Sequence, residues 1–234
     1  MDERLEALKI GIPLQFLIKE KVLAELLGKI VINLKARTVL KGGTAINFAY
    51  LHKRFSEDLD FDCFSCEFSL DKVKVEGPRR YHSVLRYHYF YTSSGIRDNV
   101  RIEIRERRFG WEIAKKFVKN VVLRFFHGSI IANVPAYSLE FLAATKLKLI
   151  SERGEGKDFF DLYWALKTCK PSSKEIEAIE ILDETENIVE KAINGIKKAN
   201  PRRLAIDNRY IPRKFRPVSW RLLLDELLEM VLEI

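Results

Sequence analysis

Lys41-Gly42-Gly43-Thr44, followed closely by Arg54-Phe55-Ser56-Glu57-Asp58-Leu59-Asp60-Phe61, is the stretch from which the rest of the chain can be read. Residues 37–40 ahead of the glycines read as a short strand, and residues 45–51 behind them as a helix. From 59 to 64 the pattern alternates: Leu59, Phe61 and Cys63 point one way, Asp58, Asp60 and Asp62 the other. Glycines at a strand-to-helix turn let the backbone approach an anion closely, and the helix N-terminus offers it unpaired N–H groups. Thr44 adds a hydroxyl donor. Two carboxylates on one strand face repel each other unless a cation sits between them, and hard oxygens select Mg²⁺ or Mn²⁺. Two such ions can clamp an in-line displacement at phosphorus.

Outward from this centre, residues 3–34 carry helical periodicity that Pro13 should break into a short helix and a longer one. Residues 81–92, 100–105 and 117–126 read as strands. Their aromatic set, Tyr81, Tyr87, Tyr89, Phe90 and Tyr91, is assigned to core and cross-strand packing, and His127 to an ordinary strand end. After Pro135 the character turns helical: 138–151 with Ser138 as N-cap, 157–167, most of 172–199, and 219–233. The expected class is therefore α/β (α+β). A mixed sheet with helices occupies residues 1–135 and a helical domain residues 136–234, with no internal repeat.

Hydrophobic residues at 47% and charged residues at 32% of 234 describe a soluble globular chain, and no apolar run is long enough for a bilayer. The acidic start Met1-Asp2-Glu3 is unlike a signal peptide, so the expected location is the cytoplasm. Three cysteines are too few for a disulfide scaffold, and Cys63-x-x-Cys66 lacks the further ligands a zinc site needs. A net charge of +8 suits a polyanionic partner. From Lys197 to Arg221 the cations are opposed only by Asp207, and Pro201, Pro212 and Pro217 argue for a basic loop. That loop is either a solvated face or a surface for phosphate backbones.

The two blocks resemble the signature of the abortive-infection AbiEii/AbiGii-type nucleotidyltransferases, of the DNA polymerase β-like superfamily. The second block is Lys146-Leu-Lys-Leu, Arg153, then Lys157-Asp158-Phe-Phe-Asp161-Leu-Tyr163, similar to the family's downstream motif and in the expected order. The resemblance implies a nucleotidyltransferase fold and transfer of a nucleoside monophosphate from an NTP to an acceptor hydroxyl. It implies that Asp58 and Asp60 bind catalytic Mg²⁺ or Mn²⁺, with Glu103 as third carboxylate. By the same route Gly42, Gly43 and Thr44 would hold the nucleotide's phosphates, Lys146 would steady the triphosphate, and Lys146 and Asp161 would complete the active site. Lys41 and Arg54 are candidates for phosphate contact or loop support. The implied setting is a toxin–antitoxin system, with an antitoxin partner and an acceptor that is RNA, such as tRNA reached through residues 197–221, or protein. Lys157 departs from the family's usual Arg, keeping charge but losing a bidentate fork. The segment between Phe64 and Tyr81 is short for the helix many relatives place there. Open beside these readings are a pairing of Glu103 with Arg101 or Arg105 along the surface of its own strand, and a capping role for Asp158. At the level of function, the alternatives are an inactive nucleic-acid-binding module of the same fold and a metal-dependent phosphohydrolase.

Overall fold

Pro13 divides the N-terminal helical stretch, as its fixed φ and missing N–H require. In the computed structural model, which describes residues 2–33, 38–65 and 74–234, helix α1 (Glu3–Ile10) starts on an Asp2 cap and ends on Gly11 at φ 81°. Helix α2 (Leu14–Asn33) follows. It buries Phe16, Leu17, Leu23, Leu26, Leu27 and Ile30 and packs against the sheet. The expected strand is β1 (Thr38–Lys41); Leu34, Arg37 and Cys66, included in the readings above, lie outside the described residues. Helix α3 (Gly42–Ala45) runs directly into a π-helical stretch, Ile46–Leu51. The glycines are thus the helix's own first residues.

The strands are β2 (Asp58–Cys63), β3 (Glu76–Tyr81), β4 (Val84–Ser93), β5 (Ile96–Glu106), β6 (Val118–Arg124) and β7 (Ile130–Tyr137). They form one mixed seven-stranded sheet in the order β3-β4-β5-β2-β1-β7-β6. β2 pairs antiparallel with β1 and parallel with β5, while β7 pairs parallel with β1. The alternation around Asp58 holds: Leu59 and Phe61 are fully buried, and the acids take the other face. Strands β3 and β7, and a short helix α4 (Trp111–Ala114), add to the elements expected from the sequence. Pro135 sits inside β7 and not at its end. The aromatic set divides: Tyr91 is buried, but Tyr81 and Phe90 stand 47% and 49% exposed, so core packing does not account for them. His127 also does more than end a strand. Its Nδ1 lies 2.9 Å from the carboxylate of Glu20, a fully buried acid of α2 that also accepts the Phe126 and His127 backbone N–H groups.

The chain divides into two compact units, Met1–Tyr137 and Ser138–Ile234. The second consists of α5 (Leu139–Glu152), α6 (Gly156–Leu166), α7 (Ser173–Leu182), α8 (Ile188–Lys198), α9 (Pro201–Leu204) and α10 (Trp220–Leu232). Ser138 caps α5 through the Phe141 N–H, and Ser172 with Glu175 forms a capping box on α7. The stretch expected as a basic loop is instead built of short helical turns: α9, then 3₁₀ turns Ala205–Tyr210 and Arg213–Phe215. Pro201 is the reason, because at the first turn of a helix its missing N–H costs nothing. The stretch's lone acid, Asp207, is used internally, accepting the Lys157 backbone N–H at 2.9 Å near the start of α6. No described helix is long and apolar enough to cross a membrane.

Candidate active site

The two halves of the first motif interlock. Gly42 has φ 69°, a left-handed value, and a Cβ built there would collide with the carboxylate of Asp60. A Cβ on Gly43 would collide with the guanidinium of Arg54. Arg54 is 3% exposed and donates from Nη1 to the Phe55 carbonyl at 2.7 Å. These contacts set its guanidinium against the glycine turn, where it supports the loop. The hydroxyl of Thr44, expected to face a phosphate, is fully buried and engaged inside the fold. It donates to the Asp58 carbonyl and lies 2.9 Å from the Ser56 hydroxyl. Glycine, threonine, arginine and serine together lash the helix start to the strand that bears the acids.

Asp58 and Asp60 share one face of β2, and the parallel register sets Arg101 beside Asp58 and Glu103 beside Asp60. These three carboxylates are the ones expected from the sequence. Burial, then Asp58, then Glu103 push the Asp60 carboxyl up to about 6, against the pull of Lys41 and Arg101. Two arginines hold the flanking acids: Arg101, weighed above only as a partner for Glu103, and Arg86, which the sequence did not single out. Arg101 Nη2 reaches Asp58 Oδ2 at 2.5 Å, and Arg86 donates from Nε to Glu103 Oε1 at 2.8 Å. Arg101 Nε is buried without a hydrogen-bond acceptor among the described residues, 3.7 Å from Glu103 Oε1. The period-two spacing of Arg101 and Glu103 was the available signal; the β4 partner was not readable without the register.

The third aspartate of the strand has a different fate. Asp62 is buried between Lys41 Nζ at 2.5 Å, Arg107 Nε at 2.5 Å and the Tyr137 hydroxyl at 3.0 Å. Burial opposes its ionisation, but Lys41 and Arg107 prevail and hold its pKa at about 2. Lys41 is thus a structural cation of the sheet.

For a divalent ion the donor set is chemically right: hard carboxylate oxygens whose mutual repulsion is incompletely relieved. It is not preassembled. Among the described residues no three His, Cys, Asp or Glu side chains are grouped closely enough to hold a metal ion. Guanidinium groups take part of the counter-charge that an ion would supply.

In the helical unit, the second motif is a buried ion-pair cluster. Lys146, 3% exposed, lies 2.7 Å from Asp158 Oδ1 and 2.8 Å from Asp161 Oδ2. Arg153 grips Asp158 with two N–H donors at 2.8 and 3.0 Å. Burial works against the Asp158 charge, yet Lys146 and Arg153 hold its carboxyl well below the usual range. Asp158 is therefore more than a helix-cap residue.

The sequence that carries both motifs matches the family described as "Nucleotidyl transferase AbiEii toxin, Type IV TA system" over residues 26–232. The chain belongs to the AbiEii nucleotidyl transferase toxin family. This AbiEii-family chain is accordingly a nucleotidyltransferase of the toxin type. Solved structures give the same fold at low identity. MenT4, a nucleotidyltransferase toxin from Mycobacterium tuberculosis H37Rv, superposes with a TM-score of 0.72 at 14% identity, covering 100% of this chain and 90% of that one. JHP933 from Helicobacter pylori gives 0.59 at 19% identity, covering 95% and 92%. No curated protein sequence matches the chain.

Proposed function

We propose that this toxin moves a nucleoside monophosphate from an NTP to an acceptor hydroxyl, with pyrophosphate as leaving group, at the Asp58–Asp60 face of β2. One observation carries the assignment: Gly42 leaves the space that the Asp60 carboxylate fills, so the helix-start amides and the acids share one spot. Backbone N–H groups at Gly43 and Thr44 are suited to the triphosphate, since the Thr44 hydroxyl is already engaged. Asp58 and Asp60, joined by Glu103 once Arg86 releases it, would hold Mg²⁺ or Mn²⁺, which when bound neutralises the leaving phosphates and activates the acceptor oxygen. Glu103 is the carboxylate assigned to take the acceptor's proton. Arg101 keeps Asp58 compensated until substrate arrives. Lys146 and Asp161 are assigned to the same reaction on the strength of the second motif alone. The acceptor is RNA, with a tRNA end as the leading instance, and the exposed cations Arg202, Arg203, Arg213 and Lys214 supply a backbone-contact surface. The toxin's partner is an antitoxin protein.

The deciding experiment incubates the protein with each α-labelled NTP, Mg²⁺ and total RNA. Label is expected on RNA, and Asp58→Ala and Asp60→Ala are expected to remove it while leaving the circular dichroism spectrum unchanged. Full transfer by both folded variants ends the proposal. A second reading, a binding module that has lost its chemistry, is favoured by one observation: arginines already neutralise Asp58 and Glu103. It predicts RNA binding with no divalent-metal requirement and no label transfer from any NTP. Label released free into solution would instead indicate a phosphohydrolase.

A further inference from the structure

Sheet register carries the acid face outward, beyond the strands of the site. Glu103 lies opposite Arg86 on β4, Arg101 opposite His88, Asn99 opposite Phe90 and Arg97 opposite Thr92. On β3, Arg79 lies opposite Arg86 and Tyr81 opposite Val84. Directly paired residues project from the same side of a sheet. Arg79, Tyr81, Arg86, His88, Phe90 and Arg97 therefore share a side with Asp58, Asp60 and Glu103. The contacts agree. The His88 and Phe90 rings stack with centroids 6.1 Å apart at 29°, and the Arg86 guanidinium lies 4.7 Å over the Tyr81 ring.

Large aromatic rings left half exposed on an outer strand pair are costly unless something covers them. Tyr81 and Phe90 give up about half their surface to solvent, at 47% and 49%, and Arg79 and Arg97 beside them are exposed. Aromatic faces interleaved with guanidinium groups are what a single strand of nucleic acid recognises, bases stacking on rings while phosphates meet arginine. Exposed aromatics on neighbouring strands of a sheet can take two or three bases side by side. Protein interfaces also gather aromatics and arginine. What favours nucleic acid here is continuity with a site that handles nucleotides, and the exposed cations Arg79 and Arg97 flanking the rings.

We propose that the open face of β3, β4 and β5 binds single-stranded polynucleotide, with bases on Phe90, His88 and Tyr81 and phosphates on Arg79, Arg86 and Arg97, leading the strand's end toward Asp58 and Asp60. The inference rests on the nucleotidyl-transfer reading above and specifies the acceptor as unpaired.

The test is fluorescence anisotropy of labelled single-stranded oligomers in EDTA without NTP, so that binding is read whether or not transfer occurs. Oligoadenylate and oligouridylate should bind, as should their DNA counterparts, because stacking does not read the sugar, and a duplex should bind more weakly. Phe90→Ala and Tyr81→Ala should each weaken binding about fivefold or more. Arg79→Ala and Arg97→Ala should each weaken it and lower the salt slope by about one. Ile130→Ala, at an exposed apolar position of β7, should change nothing, and all variants should keep the wild-type melting temperature. Undiminished affinity in folded Phe90→Ala and Tyr81→Ala overturns the proposal, as does duplex bound as tightly as single strand. Self-association in the ultracentrifuge that Phe90→Ala abolishes would overturn it too, giving the face to a second copy. Asp58→Ala should keep binding while losing transfer. Active wild type with an indifferent Phe90 therefore defeats this surface alone, and tight Phe90-dependent binding with no transfer from any NTP defeats the reaction alone.

Discussion

Asp60 carries the unresolved charge of the site. Its carboxyl is pushed up to about 6 by burial, Asp58 and Glu103, from an ordinary 3.8. The sign follows from proton linkage: between those values the folded state holds a proton that the unfolded state has lost, so stability falls as pH rises through the window. Above it, the folded protein retains a repulsive charge. Asp60→Asn should therefore raise the thermal midpoint in EDTA at a pH of about 8, by about 2–4 °C for each kcal/mol relieved. Mg²⁺ should stabilise the wild type and leave the variant unmoved. An unchanged or lowered midpoint in Asp60→Asn would remove the electrostatic argument. Lys146 presents the opposite case. Replacing it by Ala strips Asp158 and Asp161 of a buried counter-charge and should cost about 3–5 kcal/mol in urea unfolding. Transfer by that variant has to be assayed where it remains folded, since otherwise lost activity reports lost structure. A cost below about 1 kcal/mol would mean the cluster is hydrated and not a buried ion pair.

At the scale of elements, the first motif is a joint between a helix start and a strand. Gly42 is needed twice, for its left-handed φ and for the room it leaves Asp60. Gly42→Ala should cost about 1–2 kcal/mol for the backbone conformation and displace the carboxylate, so that transfer falls by more than stability does. Measured at a denaturant concentration where both proteins are folded, equal activity in the variant would show that the close approach is dispensable. The sequence made this joint legible because strands and helices impose different periods: Asp58 and Asp60 could share a face only on a strand. It did not make Arg86 legible. The Arg86 contact to Glu103 spans 17 residues and exists only because β4 pairs with β5 in one register. The same register exposes Tyr81 and Phe90, which composition alone assigns to the core.

Across the whole molecule, each unit contains a buried aspartate held ionised by cations, Asp62 in the first and Asp158 in the second. Both carboxyls are depressed below the ordinary 3.8. Their contribution to stability is therefore complete above that value and is lost as pH falls below it, through about 2 for Asp62. An acid titration followed by circular dichroism should show both contributions fading below a pH of about 4. Asp158→Asn, less stable than wild type at neutral pH, should converge on it as the acid limit is approached. A gap that persists undiminished would assign the loss to packing and not to charge.

Local chemistry by itself determined the acid strand, the glycine turn, the helix break at Pro13 and the cap at Ser138. Each depends on residues a few positions apart, where backbone geometry fixes which side chains meet. Tertiary structure alone decided that the Thr44 hydroxyl turns inward, that Asp62 is a structural ion, and that arginines guard Asp58 and Glu103. Those outcomes depend on which distant segments arrive at the same place. That is set by pairing register and burial, which no local pattern of residue types encodes.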